Sequence, residues 1–253
     1  MKFLNDTWLL YKRNVRASLR NPVWISLGLF QPVLYLLLFA PLLKNLAGLP
    51  GFPQGGAFTA FTPGLLVMIA LFGSAFVGFE LVDHIRQGVL ERLLVSPVSR
   101  LAILFGYVLR DITVLLVQSA LLVVIALPMG LTANLLGVIV TFALLVLTGA
   151  VLASASYALA LLYRNEEALV STLNVFTVPL LLLSGITLPL SFAPAIIQNI
   201  AKANPFSYEV TAARAMFVGH FGDQAIVVAF LVMGALTVLA FLWAARSFRR
   251  GVA

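Results

Sequence analysis

The sequence predicts an all-α integral membrane protein that crosses the bilayer six times with both termini on the inner side, and three observations predict it. Of 253 residues, 62% are hydrophobic and only 10% are charged, against about 45–50% and ~25% in soluble domains. Lipid has to meet that much apolar surface. Six stretches reach the roughly 20 mostly apolar residues that a helix needs to cross hydrocarbon. The net charge of +7 is also unevenly placed. With the termini inside, the inner side collects Lys2, Lys12, Arg13, Arg16, Arg20, Arg86, Arg92, Arg100, Arg164, Arg246, Arg249 and Arg250, whereas the outer side holds Lys44, Lys202 and Arg214. Positive loops stay inside, so the surplus reports orientation rather than affinity for nucleic acid.

Residues 1–22 come first and are too polar for the apolar region of a signal peptide, so they are expected to remain attached. Leu4, Trp8, Tyr11, Val15 and Leu19 recur at helical spacing, with Lys2, Asp6, Arg13, Arg16 and Arg20 opposite them. That pattern predicts an amphipathic helix lying in the inner interface. The six spans follow at about Trp24–Leu43, Thr59–Val82, Leu101–Leu127, Leu135–Tyr163, Ala168–Leu188 and Ala225–Ala245. They form one domain, 1–253, without repeat or low-complexity segment.

Two connections carry structure of their own. In 83–100, on the inner side, helical periodicity runs from Leu81 to Val95 before Ser96-Pro97 stops it, which predicts a short helix below the bilayer. In 189–222, on the outer side, two apolar stretches are each too short to span. Ile196, Ile197 and Ile200 share a face in the first, and the second can begin with Asn204 as N-cap and Pro205 at its first position. Together they predict a helical hairpin that re-enters the outer leaflet, tolerated there only if buried in protein or lining a cavity. Both halves are expected to pack between the fifth and sixth spans, with Tyr208 and Arg214 near the outer interface.

Few chemistries fit the polar residues. Without cysteine, disulfides, thiol nucleophiles and Cys-bound metals are excluded. His84 and His220 fall on opposite sides of the membrane and cannot share a metal, and no nucleophile, base and oxyanion set converges. Glu80 and Asp83 end the second span while Arg110 and Asp111 begin the third, so antiparallel packing can join them into a hinge network, or each can reach interfacial water. Gln31 beside Pro32, Gln118 and Asn174 lie within apolar spans, and Phe72, Phe76 and Phe79 stripe the second. These residues suit either helix packing or a translocation path. A secondary transporter working alone is the alternative from another class. It would call for a carboxylate near the bilayer midplane, and none is expected, since Glu80, Asp83 and Asp111 sit toward the inner end and Glu166 and Glu167 in an inner turn.

Three segments resemble the membrane subunits of type 2 ABC exporters, which include drug-resistance permeases of the daunorubicin type and polysaccharide export permeases. Leu90-Glu-Arg-Leu-Leu-Val-Ser-Pro-Val-Ser-Arg100 is similar to that family's cytoplasmic segment with the coupling helix. Ser184-Gly-Ile-Thr-Leu-Pro189, Asn204-Pro-Phe-Ser-Tyr208 and Ala212-Ala-Arg-Ala215 are similar to its extracellular re-entrant region. Asn21-Pro-Val-Trp24 with Gln31-Pro32 resembles the first-span start of the drug-type branch.

The resemblance implies the permease half of an ATP-driven exporter in a prokaryotic cytoplasmic membrane, paired with a second copy of itself or a close relative. Two separate nucleotide-binding subunits would hold the ATP and Mg. This chain has no Gly-Lys dipeptide and so no P-loop, needs no cofactor and is not itself an enzyme. Gly88, Val89, Leu90, Glu91 and Arg92 would contact the ATPase subunit. Pro189, Asn204, Pro205 and Tyr208 would form an outer gate. The implied cargo is hydrophobic or amphipathic, drug-like or lipid-like, with a polysaccharide or lipo-oligosaccharide as the alternative.

Overall fold

The computed structural model describes residues 2–20, 22–43, 56–95, 97–187 and 190–250, and no strand occurs among them. Asn21, Lys44, Ser96 and Pro189 lie outside the described residues. The chain is an all-α, multi-pass membrane protein. Among the described residues, four segments are long and apolar enough to cross a bilayer: Gly56–Arg86, Arg100–Met129, Leu135–Tyr163 and Gln224–Arg249.

The elements run α1 (Lys2–Arg20), α2 (Pro22–Leu43), α3 (Gly56–Ala75), α4 (Gly78–Arg86), α5 (Val89–Leu94), α6 (Arg100–Ala126), α7 (Leu135–Tyr163), α8 (Glu166–Leu182), α9 (Ala195–Ala201), α10 (Pro205–Phe217) and α11 (Gln224–Arg250). Polar caps start several of them. Ser99, Asn134, Asn165 and Asn204 accept backbone N–H bonds from Ala102, Gly137, Glu167 and Phe206 at 2.9–3.1 Å, which satisfies donors that a helix start leaves open.

Two expectations shift. The second span is broken into α3 and α4, and at the break the Gly78 N–H donates to Ser156 Oγ on α7 at 2.9 Å. Lost helix bonds need such a substitute inside a membrane. The helix expected as a fifth span, α8, ends at Leu182 rather than Leu188. Pro179 lies in its last turn, and Gly185 beyond it takes a left-handed φ of 74°.

Helix α7 is the hub, packed against α3, α4, α6, α8, α10 and α11. Leu65, Leu66, Leu144, Leu145, Phe217 and Met233 fill one end of the core, and Leu81, Leu104, Tyr107, Tyr157 and Phe248 the other. The helix ends sort onto two faces. On one, Arg86 Nη1 meets Glu166 Oε1 at 2.5 Å and Arg100 Nη1 donates to the Arg249 carbonyl at 2.7 Å. On the opposite face Thr59 Oγ1 donates to the Thr132 carbonyl at 3.0 Å and Asn134 N–H to the Phe217 carbonyl at 2.9 Å.

Helix α1 lies along α6, with Leu10 buried and Leu4, Trp8, Leu9 and Leu19 exposed. It comes close at Gly106, where an added Cβ would stand 2.8 Å from Leu10 Cβ and 3.4 Å from the Tyr11 nitrogen. Gly106→Leu is therefore expected to prise α1 from α6 without preventing insertion of the spans, read as several-fold faster tryptic cleavage around Lys12 and Arg13 in the lipid-embedded protein. Unchanged cleavage would show that the contact does not hold the helix.

Candidate functional site

The largest concentration of buried charge lies at the arginine-rich face. Arg110 and Asp111 on α6 are both buried. Arg110 Nη1 donates to Glu80 Oε2 on α4 at 2.5 Å, its Nε stands 2.7 Å from Asp111 Oδ1, and Nη2 donates to the Tyr157 hydroxyl on α7 at 3.3 Å. The Tyr157 hydroxyl in turn donates to Asp111 Oδ2, and Arg110 Nη1 also reaches Ser18 Oγ on α1 at 3.3 Å. A guanidinium suits this place because its planar fork serves several acceptors at once. A charge buried at membrane depth stays only if paired.

Three of the four residues expected here, Glu80, Arg110 and Asp111, are thus brought together. Asp83 is not. It is exposed and accepts a bond from Gln87 Nε2 at 2.7 Å. Sequence reading missed Ser18, Tyr157 and the pair His84–Tyr107, where the ring Nδ1 and the hydroxyl lie 2.8 Å apart. Hydroxyl groups on α1 and α7 carry no charge signal, so only packing reveals them.

The same α4 leads into α5. Gly88 has φ 68°, a left-handed value cheap only for glycine, and this turn sets α5 against α4. Leu90 is buried at 3% exposure, while Glu91, Arg92 and Val95, the last 87% exposed, point away from the protein. Of the five residues expected to form the contact, Leu90 therefore anchors the helix and Glu91 and Arg92 form its free surface, extended by Val95.

At the opposite face, Asn204 caps α10 as expected and its Nδ2 donates to the Leu180 carbonyl near the end of α8 at 2.8 Å. Pro205 occupies the first turn, and the Tyr208 hydroxyl donates to the Lys202 carbonyl at 2.9 Å. Pro189 lies outside the described residues. Packing of both halves between the fifth and sixth spans is not found. Helix α10 packs on α3, α7 and α11, whereas α9 packs mainly against the turn Leu190–Phe192 and leaves Ile196, Ile197 and Ile200 exposed. Seven residues give α9 too little surface to bury both sides. Arg214 is spent on backbone. Its Nε donates to Ala60 O on α3 and its Nη2 to Gly185 O, each at 2.8 Å, tying α3, α10 and the end of α8 together.

One absence expected from sequence is overturned. Glu209 on α10 is fully buried and bonded to Thr148, at the middle of α7. An acid therefore does lie level with the middle of a helix long and apolar enough to cross a bilayer. It was hidden in a short helix read as an outer element, with no charged neighbour in sequence to mark it.

The polar residues of the spans divide. Gln118 is buried, its amide so close to α2 and α3 that a Cβ on Gly28 would stand 2.6 Å from Nε2 and one on Gly73 3.6 Å from Oε1. It knits three helices. Phe72 and Phe76 stack at 6.3 Å and are half-buried against the core. Gln31 on α2 and Asn174 on α8 are exposed. Around Asn174, α8 presents Val175, Phe176 and Leu182 outward, each more than 60% exposed.

The family model described as ABC-2 type transporter matches residues 5–218. The ycf38 protein of the alga Cyanophora paradoxa, named as a transport permease, is 29% identical over 217 residues, covering 85% of this chain and 75% of that protein. Its counterpart in Porphyra purpurea is 30% identical over 203 residues, 78% of this chain and 69% of that protein. The daunorubicin resistance ABC transporter permease protein DrrB1 of Streptomyces coeruleorubidus is 28% identical over 220 residues, 83% of this chain and 74% of its own length.

Proposed function

This chain belongs to the ABC-2 type transporter family, and from that premise we propose that it is the membrane half of an exporter whose ATP is hydrolysed by two separate subunits docked on α5. As a permease of this family it is a non-catalytic transport subunit. Family membership supports this reading over a secondary transporter working alone, an alternative for which the acid Glu209 is no longer missing.

In this reading six spans (α2, α3 with α4, α6, α7, α8 and α11) cross a cytoplasmic membrane, with the arginine-rich face and both termini inside. Two copies meet through the exposed apolar faces of α2 and α8, with Gln31 and Asn174 at the path between them. A hydrophobic or amphipathic molecule, drug-like or lipid-like, leaves the cytoplasm or inner leaflet, and α9 and α10 form the outer gate. The apolar exterior of α8 supports the second copy, and a path lined by Val175, Phe176 and Leu182 suits an apolar cargo.

The observation that carries the reading is the continuity from α5 to the buried network. A push on Glu91 and Arg92 is delivered through the Gly88 turn and Leu90 to α4, and from Glu80 to Arg110 and Tyr157 on the two central helices. Docking that closes with ATP can thereby tilt α6 and α7. Reversing both exposed charges, Glu91→Arg with Arg92→Glu, is expected to lower ATP-dependent export at least tenfold, about 1.4 kcal/mol of lost docking or coupling, while the chain still inserts and melts normally. Full coupled export by the double variant would remove α5 from the site.

A further inference from the structure

Among the described residues Glu209 is the one buried carboxyl group outside the Arg110 cluster, and nothing in the exporter reading uses it. Glu209 has no exposure, and its helix packs into an apolar core that includes Phe206, Val210 and Ala213 of α10, Leu144 and Leu145 of α7, and Ala229 and Met233 of α11. No salt bridge reaches it among the described residues. Helix α3 carries no ionisable side chain. On α7 the ionisable groups are Tyr157, held in the inner cluster, and Tyr163 at the inner end. The arginines of α11 begin at Arg246, at its far end. On α10 itself, Tyr208 is bonded to the Lys202 carbonyl and Arg214 to those of Ala60 and Gly185.

The hydrogen bonds say which form of the acid fits. Thr148 Oγ1 lies 2.6 Å from Glu209 Oε1 and 3.1 Å from the Leu144 carbonyl, and Glu209 Oε2 has no partner. A threonine hydroxyl has one proton. If Glu209 is ionised, that proton can serve only one of the two oxygens, and a full negative charge remains without a cation in an apolar interior, which costs several kcal/mol. If Glu209 is protonated, its O–H donates to Thr148 Oγ1, and the Thr148 proton is free for the Leu144 carbonyl. Both contacts are then real hydrogen bonds.

We propose that Glu209 is a protonation site that latches the hairpin: as a neutral acid it holds α10 to the middle of α7, and loss of its proton to water loosens α10. Because the packed state binds one more proton than the loosened state, packing is favoured in acid and weakens as pH rises, by at most about tenfold per pH unit for a single proton. A role in export rests on the gate reading above, but the latch itself does not.

The test uses the full chain in lipid nanodiscs. Infrared spectra at neutral pH should show the carbonyl stretch of a protonated carboxylic acid that is missing in Glu209→Gln. A cysteine introduced at the buried Ala212 should be labelled by a maleimide faster as pH rises, beyond the increase seen for the same cysteine in the Glu209→Gln background, where the amide mimics the neutral acid and the thiol chemistry is identical. Thr148→Val should raise labelling at every pH, since the latch loses its acceptor. A spectrum showing only ionised carboxylate at this position would overturn the proposal. So would equal pH dependence of labelling in the two backgrounds. Should the band and the pH effect both be found while hairpin variants export normally, the latch stands and the gate reading fails.

Discussion

Replacing Arg110 by methionine is expected to cost about 3–5 kcal/mol, the range found when one member of a buried ion pair is removed. Asp111 would be left buried beside Tyr157 without its cation, whereas Glu80, partly exposed, can turn to water. Thermal melting of the purified chain in lipid should show a large drop for Arg110→Met and a much smaller one for Arg110→Met with Asp111→Asn, since removing both charges also removes their desolvation cost. If the double variant is as unstable as the single, Asp111 is not what Arg110 compensates. A harmless single variant would mean that the cluster holds nothing together.

The second large effect is expected at Gly137→Leu. The first turn of α7 lies against the end of α10 so tightly that a Cβ on Gly137 would overlap the Met216 carbonyl oxygen. That neighbour is backbone and can move only if α10 moves, so the cost is an overpacking of several kcal/mol. Export should fall to background while binding of the ATPase subunits survives, because α5 lies at the other end of the molecule. A cysteine placed at the buried Ala212 should become open to labelling. Gly222→Leu, where nothing lies within 4 Å of the new Cβ, is the matched control and should leave both unchanged. Normal export by the Gly137 variant would show that contact between α10 and α7 is not needed for the gate.

What could be read from the sequence follows how local each signal is. Apolar length and helical period are properties of contiguous residues, so the long helices, the short helix α5 and the cap at Asn204 were all legible. The Gly88 turn and the burial of Leu90 were not, because a glycine in a helical pattern does not announce a left-handed turn. The network was legible as charges at facing helix ends, yet Ser18 and Tyr157 enter only through three-dimensional packing, and Asp83 leaves it because its helix turns it outward. Glu209 shows the limit most clearly. Its depth depends on how α10 sits against α7, and no period within 13 residues encodes that. The break at Gly78 is similar, since it depends on Ser156, 78 residues away.

If a separate ATP-hydrolysing subunit drives this chain through α5, site-specific crosslinking in native membranes will find it there. A photo-reactive residue at Val95, on the free surface of α5, should capture a polypeptide that binds ATP, with a yield that changes between ATP-bound and nucleotide-free states. The same group at Gln198 on α9, or at Leu231 on the exposed face of α11, should not capture it. Capture at Gln198 instead of Val95, or no ATP-binding polypeptide at any position, would mean that no ATPase subunit docks on α5.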